Sequence, residues 1–316
     1  MIIARAPYRI SFFGGSTDYE SFYSKHGSFI IGASINKYVY TSIREKPKFF
    51  NDEFSFYYSI VERVKNFKHI TNPLIRETFN FYKPLNRTET NIFCDIPPRT
   101  GLGGSSSYCV SMSKAIDKIM DIKSSNKNIA KNAIKIEREI LKDSGGIQDQ
   151  IWATYGGFNS IEINNNGDFL VKPIPITEEF KKEFQNSTLL VYTGQQRSQN
   201  EIAASHDNKD KKNILDISKE AYNLFLKEDI KNIGSLLLET WKQKKEISNL
   251  ISNPHINLIE EKLLNFGCYG VKLLGSGGCG FMMAICNSKS AAKVRQEFKN
   301  KVLDFEFDSS GAIIIH

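Results

Sequence analysis

Cysteine and histidine are scarce in this 316-residue chain, five of each, and neither is arranged for a scaffold or a metal. Cys94, Cys109, Cys268, Cys279 and Cys286 include no CxxC spacing and sit mostly in apolar segments. That pattern predicts buried free thiols in a reducing compartment rather than a disulfide framework. The histidines form no HExxH pair, so no zinc site of that kind is expected. No stretch approaches the roughly 20 apolar residues of a membrane span. The opening MIIARAPYRISFFGG lacks a basic leader, an apolar run and a small-residue cleavage site. No secretory signal is therefore expected, and the expected location is cytoplasmic. Aromatic-interleaved basic stripes are missing too, so neither nucleic acid nor membrane is an expected partner. The net charge of +7 fits a lysine-rich background or a preference for anionic small molecules, and alone does not separate them.

What is present is a soluble composition, 41% hydrophobic and 24% charged, on a chain long enough for a large core. The pattern predicts strands at Ile2–Phe13, across Ser28–Arg44 around a turn, and at Glu53–Tyr58. A mixed, helical region follows over 61–83, then a short strand at Thr90–Asp95. Apolar spacings of three and four predict a helix after residue 107 and another from about Lys127 to Lys142. A short helix is expected near Ile147, a hairpin over 158–176 and a strand at Thr188–Thr193. Helices are expected at about 213–227, 229–252, 255–266 and 288–300, with strands at 270–274, 281–286, 303–307 and 311–315. A domain boundary is placed near residue 175, giving regions 1–175 and 176–316.

Gly101, Leu102, Gly103, Gly104, Ser105, Ser106 and Ser107 lie between a strand and a helix. Glycines let backbone N–H groups close on an anion, and a helix start adds unpaired donors and partial positive charge. A tight turn with serine caps needs fewer of both residue types, so the segment reads as a phosphate loop. It is neither GxxxxGK[ST] nor a dinucleotide fingerprint, because Ser106 stands where the third glycine belongs. Protein-kinase HRD and DFG motifs are absent.

Glu137 lies within the apolar stripe Ala130, Ala133, Ile134, Ile140 and Leu141. A carboxylate facing a core must be protonated, paired or bound to a cation, and beside a phosphate loop a magnesium ligand is the better reading. Asp149, in the first turn of its helix, either complements the helix dipole or orients an attacking hydroxyl. Arg9 in a half-buried strand calls for an anionic partner. Asp18 follows the turn at Gly14 and Gly15. Four glycines among residues 275–280 suggest backbone pressed close to a ligand.

Three of these segments, in order along the chain, resemble the motifs of the GHMP small-molecule kinases. They are residues 6–19 with Arg9 and Asp18, residues 98–107 with the phosphate loop, and residues 272–280. The resemblance implies an α+β, two-domain fold, with an N-terminal domain like that of ribosomal protein S5 and a ferredoxin-like C-terminal domain. It implies ATP and Mg2+ as cofactors, with Ser105 and Glu137 on the metal and Gly101–Ser107 on the phosphates. The metal glutamate of the galactokinase pattern lies twelve residues before the catalytic aspartate, which again selects Glu137 before Asp149. Arg9 is implied near the transferring phosphoryl, and Gly14, Gly15, Ser16, Thr17, Asp18, Gly277 and Gly278 near the sugar. Gly15-Ser16 replaces the Glu-His of galactokinases, which argues against galactose itself. Residues 13–19 and 192–198 resemble a subgroup that phosphorylates the anomeric hydroxyl of heptose 7-phosphates or of fucose, with Arg197 a candidate for a substrate phosphate. The expected substrate is D-glycero-D-manno-heptose 7-phosphate, made into the 1,7-bisphosphate for nucleotide-activated heptose and surface polysaccharide, by a monomer or homodimer. The alternatives are a kinase for L-fucose or a related sugar, and a non-catalytic sugar sensor on the same fold. A nicotinamide-dependent oxidoreductase is disfavoured by the glycine pattern.

Overall fold

The computed structural model describes residues 1–83, 87–194 and 211–316. Strand β1 (Ile2–Phe13) has the bounds expected from the sequence. It lies antiparallel to β2 (Ser28–Glu45), which is one continuous strand where a turn was expected. Between Pro7 opposite Tyr38 and Tyr8 opposite Ile35 the register shifts, so Asn36 and Lys37 are absorbed as a bulge. Pro7 has no N–H for the ladder. Asn36 turns instead to Glu306, donating its N–H to the Glu306 carbonyl at 2.8 Å and accepting from the Glu306 N–H at 2.8 Å.

Helix α1 (Glu20–His26) sits between these strands. The stretch expected to be helical from 61 begins instead as a hairpin of β3 (Phe54–Tyr57) and β4 (Val61–Val64), and becomes helix only at α2 (Pro73–Tyr82). Asn72 caps α2 and Pro73 opens it, the usual punctuation of a helix start. After β5 (Thr88–Cys94) come α3 (Gly104–Ile119), α4 (Asn126–Ile134), α5 (Gln148–Tyr155) and the hairpin β6 (Phe158–Ile163) and β7 (Phe169–Pro173). Strands β1 to β7 share one sheet, with β1 beside β2, β2 beside β5 and β6, and β5 beside β3.

Beyond residue 175 the chain runs through α6 (Glu178–Ser187), β8 (Thr188–Tyr192), α7 (Lys212–Leu226), α8 (Ile230–Ile247), α9 (Pro254–Asn265), β9 (Gly270–Leu273), β10 (Phe281–Ile285) and α10 (Ser288–Phe298). Helix α6 was not anticipated, although Thr177 caps it by accepting from the Phe180 N–H. With β11 (Val302–Leu303), these strands form a second sheet in the order β11, β8, β10, β9. Helix α8 stops short of 252 because the next residues cross to the glycine-rich turn, where the Gly278 N–H donates to the Ile251 carbonyl at 2.8 Å. The final strands β12 (Phe307–Asp308) and β13 (Ile313–Ile314) rejoin the first sheet against β2 and β1. An aromatic cluster ties the two regions together. Phe184 lies 5.3 Å from Phe12 and 5.2 Å from Phe225 between ring centroids, and Phe158 lies 5.2 Å from Phe307.

Candidate active site

The phosphate loop owes its path to residues without side chains. Gly101 and Gly103 adopt φ values of +82° and +78°, which L side chains rarely take. A Cβ on Gly103 would lie 3.2 Å from Arg9 Cγ and 3.4 Å from the Asp149 carboxyl carbon, so the bare backbone faces that pair directly. Gly104 opens α3, and a Cβ there would lie 2.9 Å from the Tyr8 ring. The first N–H groups of α3 have no partner within the helix and point out of its start.

Arg9 and Asp149 form a two-point pair. Nε donates to Oδ1 and Nη2 to Oδ2, each at 2.7 Å, while Nη1 donates to the Gly101 carbonyl at 2.6 Å. The Arg9 N–H also donates to the Leu102 carbonyl at 3.0 Å. Three segments, β1, the loop and the start of α5, are thereby fixed to one another by one side chain. Such fork geometry is specific to a guanidinium.

Glu137 is 1% exposed and fully engaged. Oε1 accepts from Ser105 Oγ at 2.8 Å, and Oε2 accepts from Ser106 Oγ at 2.7 Å and Gln150 Nε2 at 2.5 Å. The helix carrying it is not a regular continuation of α4. Residues Lys135–Ile140 form a widened π turn, with the Leu141 N–H donating to the Ile136 carbonyl. Glu137 is buried as its place in the stripe predicts, but the extra residue shifts the phase around it, so that Ile136 is buried and Ile140 exposed, contrary to the regular 3.6-residue expectation. Ser107 points elsewhere, donating to the Pro7 carbonyl at 2.7 Å.

Asp18 is completely buried and held by donors from two segments. Oδ1 accepts from the Ser16 N–H at 3.0 Å and Gln148 Nε2 at 3.1 Å, and Oδ2 accepts from the Gln148 N–H at 3.1 Å. Burial pushes its pKa up, and the nearby Asp149 charge adds to the rise. The reach is possible only because residue 146 is glycine, since a Cβ there would fall 1.8 Å from Asp18 Oδ2. Thr17 closes the turn by donating to the Gly14 carbonyl at 2.6 Å. On either side of Gly15 stand two buried oxygens, Ser11 Oγ and Gln148 Oε1, without a hydrogen-bond partner among the described residues. A Cβ on Gly15 would lie 3.2 Å from Ser11 Oγ and 3.4 Å from Gln148 Nε2.

The glycine-rich segment after β9 divides its contacts. Gly275 and Gly280 press on the phosphate loop, with hypothetical Cβ positions 2.6 Å from Gly101 Cα and 2.2 Å from the Thr100 carbonyl oxygen. Gly277 packs instead on Ile251, and the Gly278 N–H bonds the Ile251 carbonyl. Arg197 lies outside the described residues.

Four polar residues at this crevice went unassigned in the sequence. Gln148 and Gln150 flank Asp149 and hold Asp18 and Glu137 in turn. Lys272 Nζ donates to the carbonyls of Ser11 at 3.1 Å and Phe12 at 2.6 Å, bracing the end of β1. Lys244 Nζ donates to the Gly275 carbonyl at 2.5 Å. Burial lowers the pKa of both ammoniums, with Arg9 adding to the effect. Lys244 had a legible signal, because it falls three after Trp241 and three before Ile247 in a buried stripe, the same kind of placement that singles out Glu137.

The donors available for a cation are all oxygen. Ser105 Oγ and Glu137 converge beside the loop, and among the described residues no group of three or more His, Cys, Asp or Glu side chains gathers into a cage. That set fits a hard cation that takes its remaining ligands from phosphate oxygens and water.

Comparison with known proteins gives the arrangement a family. The family models for the GHMP kinases N terminal domain and the GHMP kinases C terminal match residues 65–157 and 221–304. D-glycero-alpha-D-manno-heptose 7-phosphate kinase of Campylobacter jejuni is 29% identical, over 98% of this chain and 97% of its own. The bifunctional fucokinase/GDP-fucose pyrophosphorylase of Arabidopsis thaliana is 26% identical over 68% of this chain and 21% of its own. The crystal structure of a D-glycero-D-manno-heptose 1-phosphate kinase from Bacteroides thetaiotaomicron superposes with a TM-score of 0.81, at 22% identity, covering 100% and 99% of the two chains. Both family models, the two-domain architecture and the order of the three glycine-bearing segments agree: the chain belongs to the GHMP kinases, a family of ATP-dependent phosphotransferases that act on alcohol groups.

Proposed function

We propose that this chain is a sugar kinase that transfers the γ-phosphoryl of ATP to the anomeric hydroxyl of D-glycero-D-manno-heptose 7-phosphate, yielding the 1,7-bisphosphate. The observation that carries this reading is the meeting of Arg9–Asp149, Ser105–Glu137 and Asp18 around one phosphate loop, from segments far apart in the chain. The full-length similarity to a heptose 7-phosphate kinase supports the choice of sugar. Region 1–175 would carry the loop, region 176–316 would close the crevice, and the reaction would run in the cytoplasm, in a monomer or homodimer.

In this reading the backbone of Gly101–Ser107 cradles the phosphates. Ser105 and Glu137 would hold Mg2+, which when bound neutralises charge on the phosphate oxygens. Asp149, aimed by Arg9, accepts the hydrogen of O1 and directs the oxygen in line. Arg9 meets the charge that builds on the transferred group, in a reaction where positioning and electrostatics do most of the catalysis. Asp18, with the open acceptor positions of Ser11 and Gln148, receives ring hydroxyls over Gly14–Thr17.

ADP production across a panel of sugars and sugar phosphates, with the product position read by phosphorus NMR, tests the reading. Turnover should be strict for heptose 7-phosphate and place the new phosphate on C1. An Asp149→Asn variant should bind ATP normally and lose most of its turnover. Efficient turnover of L-fucose alone would move the assignment to the fucose branch, and sugar binding without ADP in the wild type would make the chain a sensor.

A further inference from the structure

Lys244 and Lys272 put two more cations beside Arg9. Both are buried, at 7% and 5% exposure, and among the described residues neither is paired with a carboxylate. Their hydrogen bonds go to the carbonyls of Gly275, Ser11 and Phe12. The neighbouring carboxylates have other donors: Asp149 accepts from Arg9 at both oxygens, and Asp18 accepts from Ser16 and Gln148. Desolvated ammoniums with only carbonyls for partners are costly, and the cost is offset when an anion arrives.

Position says where that anion would sit. Gly275, whose carbonyl holds Lys244, packs on Gly101, and the Gly101 carbonyl holds Arg9 Nη1. The path Lys244, Gly275, Gly101, Arg9 therefore brings an ammonium from α8, in the C-terminal region, to the back of the phosphate loop. Besides its burial, the groups that act on Lys244 are Arg9 from β1 and Asp18 from the turn after β1, and Lys244 and Arg9 in turn act on Lys272 from β9.

We propose that Lys244 binds a phosphate group of the reactants, completing with Arg9 a cationic clamp that the phosphate loop alone does not supply. The proposal rests on the kinase reading. The phosphate has two possible sources, the transferring γ-phosphoryl and the phosphate already on the sugar.

Lys244→Met and Lys244→Arg, checked for native circular dichroism, separate the sources. Lys244→Met should lose at least tenfold in kcat/KM, and Lys244→Arg should recover part of it. A loss confined to KM for heptose 7-phosphate, absent with unphosphorylated heptose, assigns the sugar phosphate. A loss in kcat with both acceptors assigns the γ-phosphoryl. The alkaline limb of the wild-type profile, set by an ammonium lowered to about 8, should move upward in Lys244→Arg. Folded Lys244→Met with kinetic constants within twofold of wild type for both acceptors overturns the proposal. Should the wild type turn over no sugar, the kinase reading fails separately. Thermal stabilisation by inorganic tripolyphosphate then decides: a shift in wild type that Lys244→Met lacks upholds the clamp, and equal shifts reject it.

Discussion

Gly101 and Gly275, 174 residues apart, touch backbone to backbone: a Cβ added at Gly275 would stand 2.6 Å from Gly101 Cα, and one at Gly101 would stand 2.4 Å from the Leu274 carbonyl oxygen. The phosphate loop is thus moulded by the second glycine-rich segment, and Gly275 also sits at φ +76°. Gly275→Ala should cost about 2 kcal/mol or more of stability, since steric overlap and a positive φ act together. It should also raise KM for ATP. Urea unfolding and initial-rate kinetics check both, and an unperturbed KM would mean that this contact shapes only the turn.

The carboxylate at position 137 should behave as a metal ligand and as a structural acceptor. Glu137→Gln puts an amide N–H₂ against donors from Ser105, Ser106 or Gln150, so the folded protein should lose about 1–3 kcal/mol. The magnesium concentration for half-maximal rate should rise at least tenfold. Ser105→Ala, which removes one hydroxyl from the same set, should shift the magnesium dependence with a smaller stability loss. Magnesium titrations of the rate distinguish the two, and unchanged dependence in both variants would remove the cation from this place.

How far the site was legible depended on how local each signal is. The loop at 101–107 could be found because glycine and serine needs are written within seven residues. Glu137 could be found because a charge inside an apolar stripe is conspicuous, yet its neighbours could not, since the π turn at Lys135–Ile140 changes the phase that the stripe assumes. The partnership of Arg9 with Asp149 spans 140 positions and depends on β1 and α5 being side by side, which no single stretch encodes. The bulge at Asn36 resembles a turn in the sequence because its partner, Glu306, lies 270 residues away. Lys244 carries the same stripe signal as Glu137, but one lysine among many in a lysine-rich chain does not stand out.

Gly15 should set the room available to the sugar. Its missing side chain leaves space between Ser11 Oγ and Gln148, two positions with acceptors free for a hydroxyl. Gly15→Ala should raise KM for the sugar at least tenfold with little change in KM for ATP, because the added carbon meets only the tips of those side chains. Gln148→Leu should do the same and also remove the side-chain bond to Asp18 Oδ1, leaving those from the Ser16 and Gln148 N–H groups. Equal effects on both KM values would instead indicate a general loosening of the crevice.

Lys244 should lower the stability of the ligand-free protein. Its pKa falls from 10.5 to about 8, so the unfolded chain binds the proton more tightly between those values. Stability therefore rises with pH across that window, and at pH 7 the burial cost is present in full. The shift corresponds to about 3 kcal/mol, less about 1 kcal/mol for the bond to the Gly275 carbonyl, so Lys244→Met should gain about 2 kcal/mol at pH 7. The advantage should shrink towards pH 10, where the native lysine is neutral. Urea unfolding of both proteins at pH 7 and 10, without phosphate in the buffer, measures the gap. A gain in stability coupled to a loss of turnover is what a binding residue produces, because its charge is kept for the ligand and not for the fold. A less stable Lys244→Met at pH 7 would make the lysine a structural strut instead.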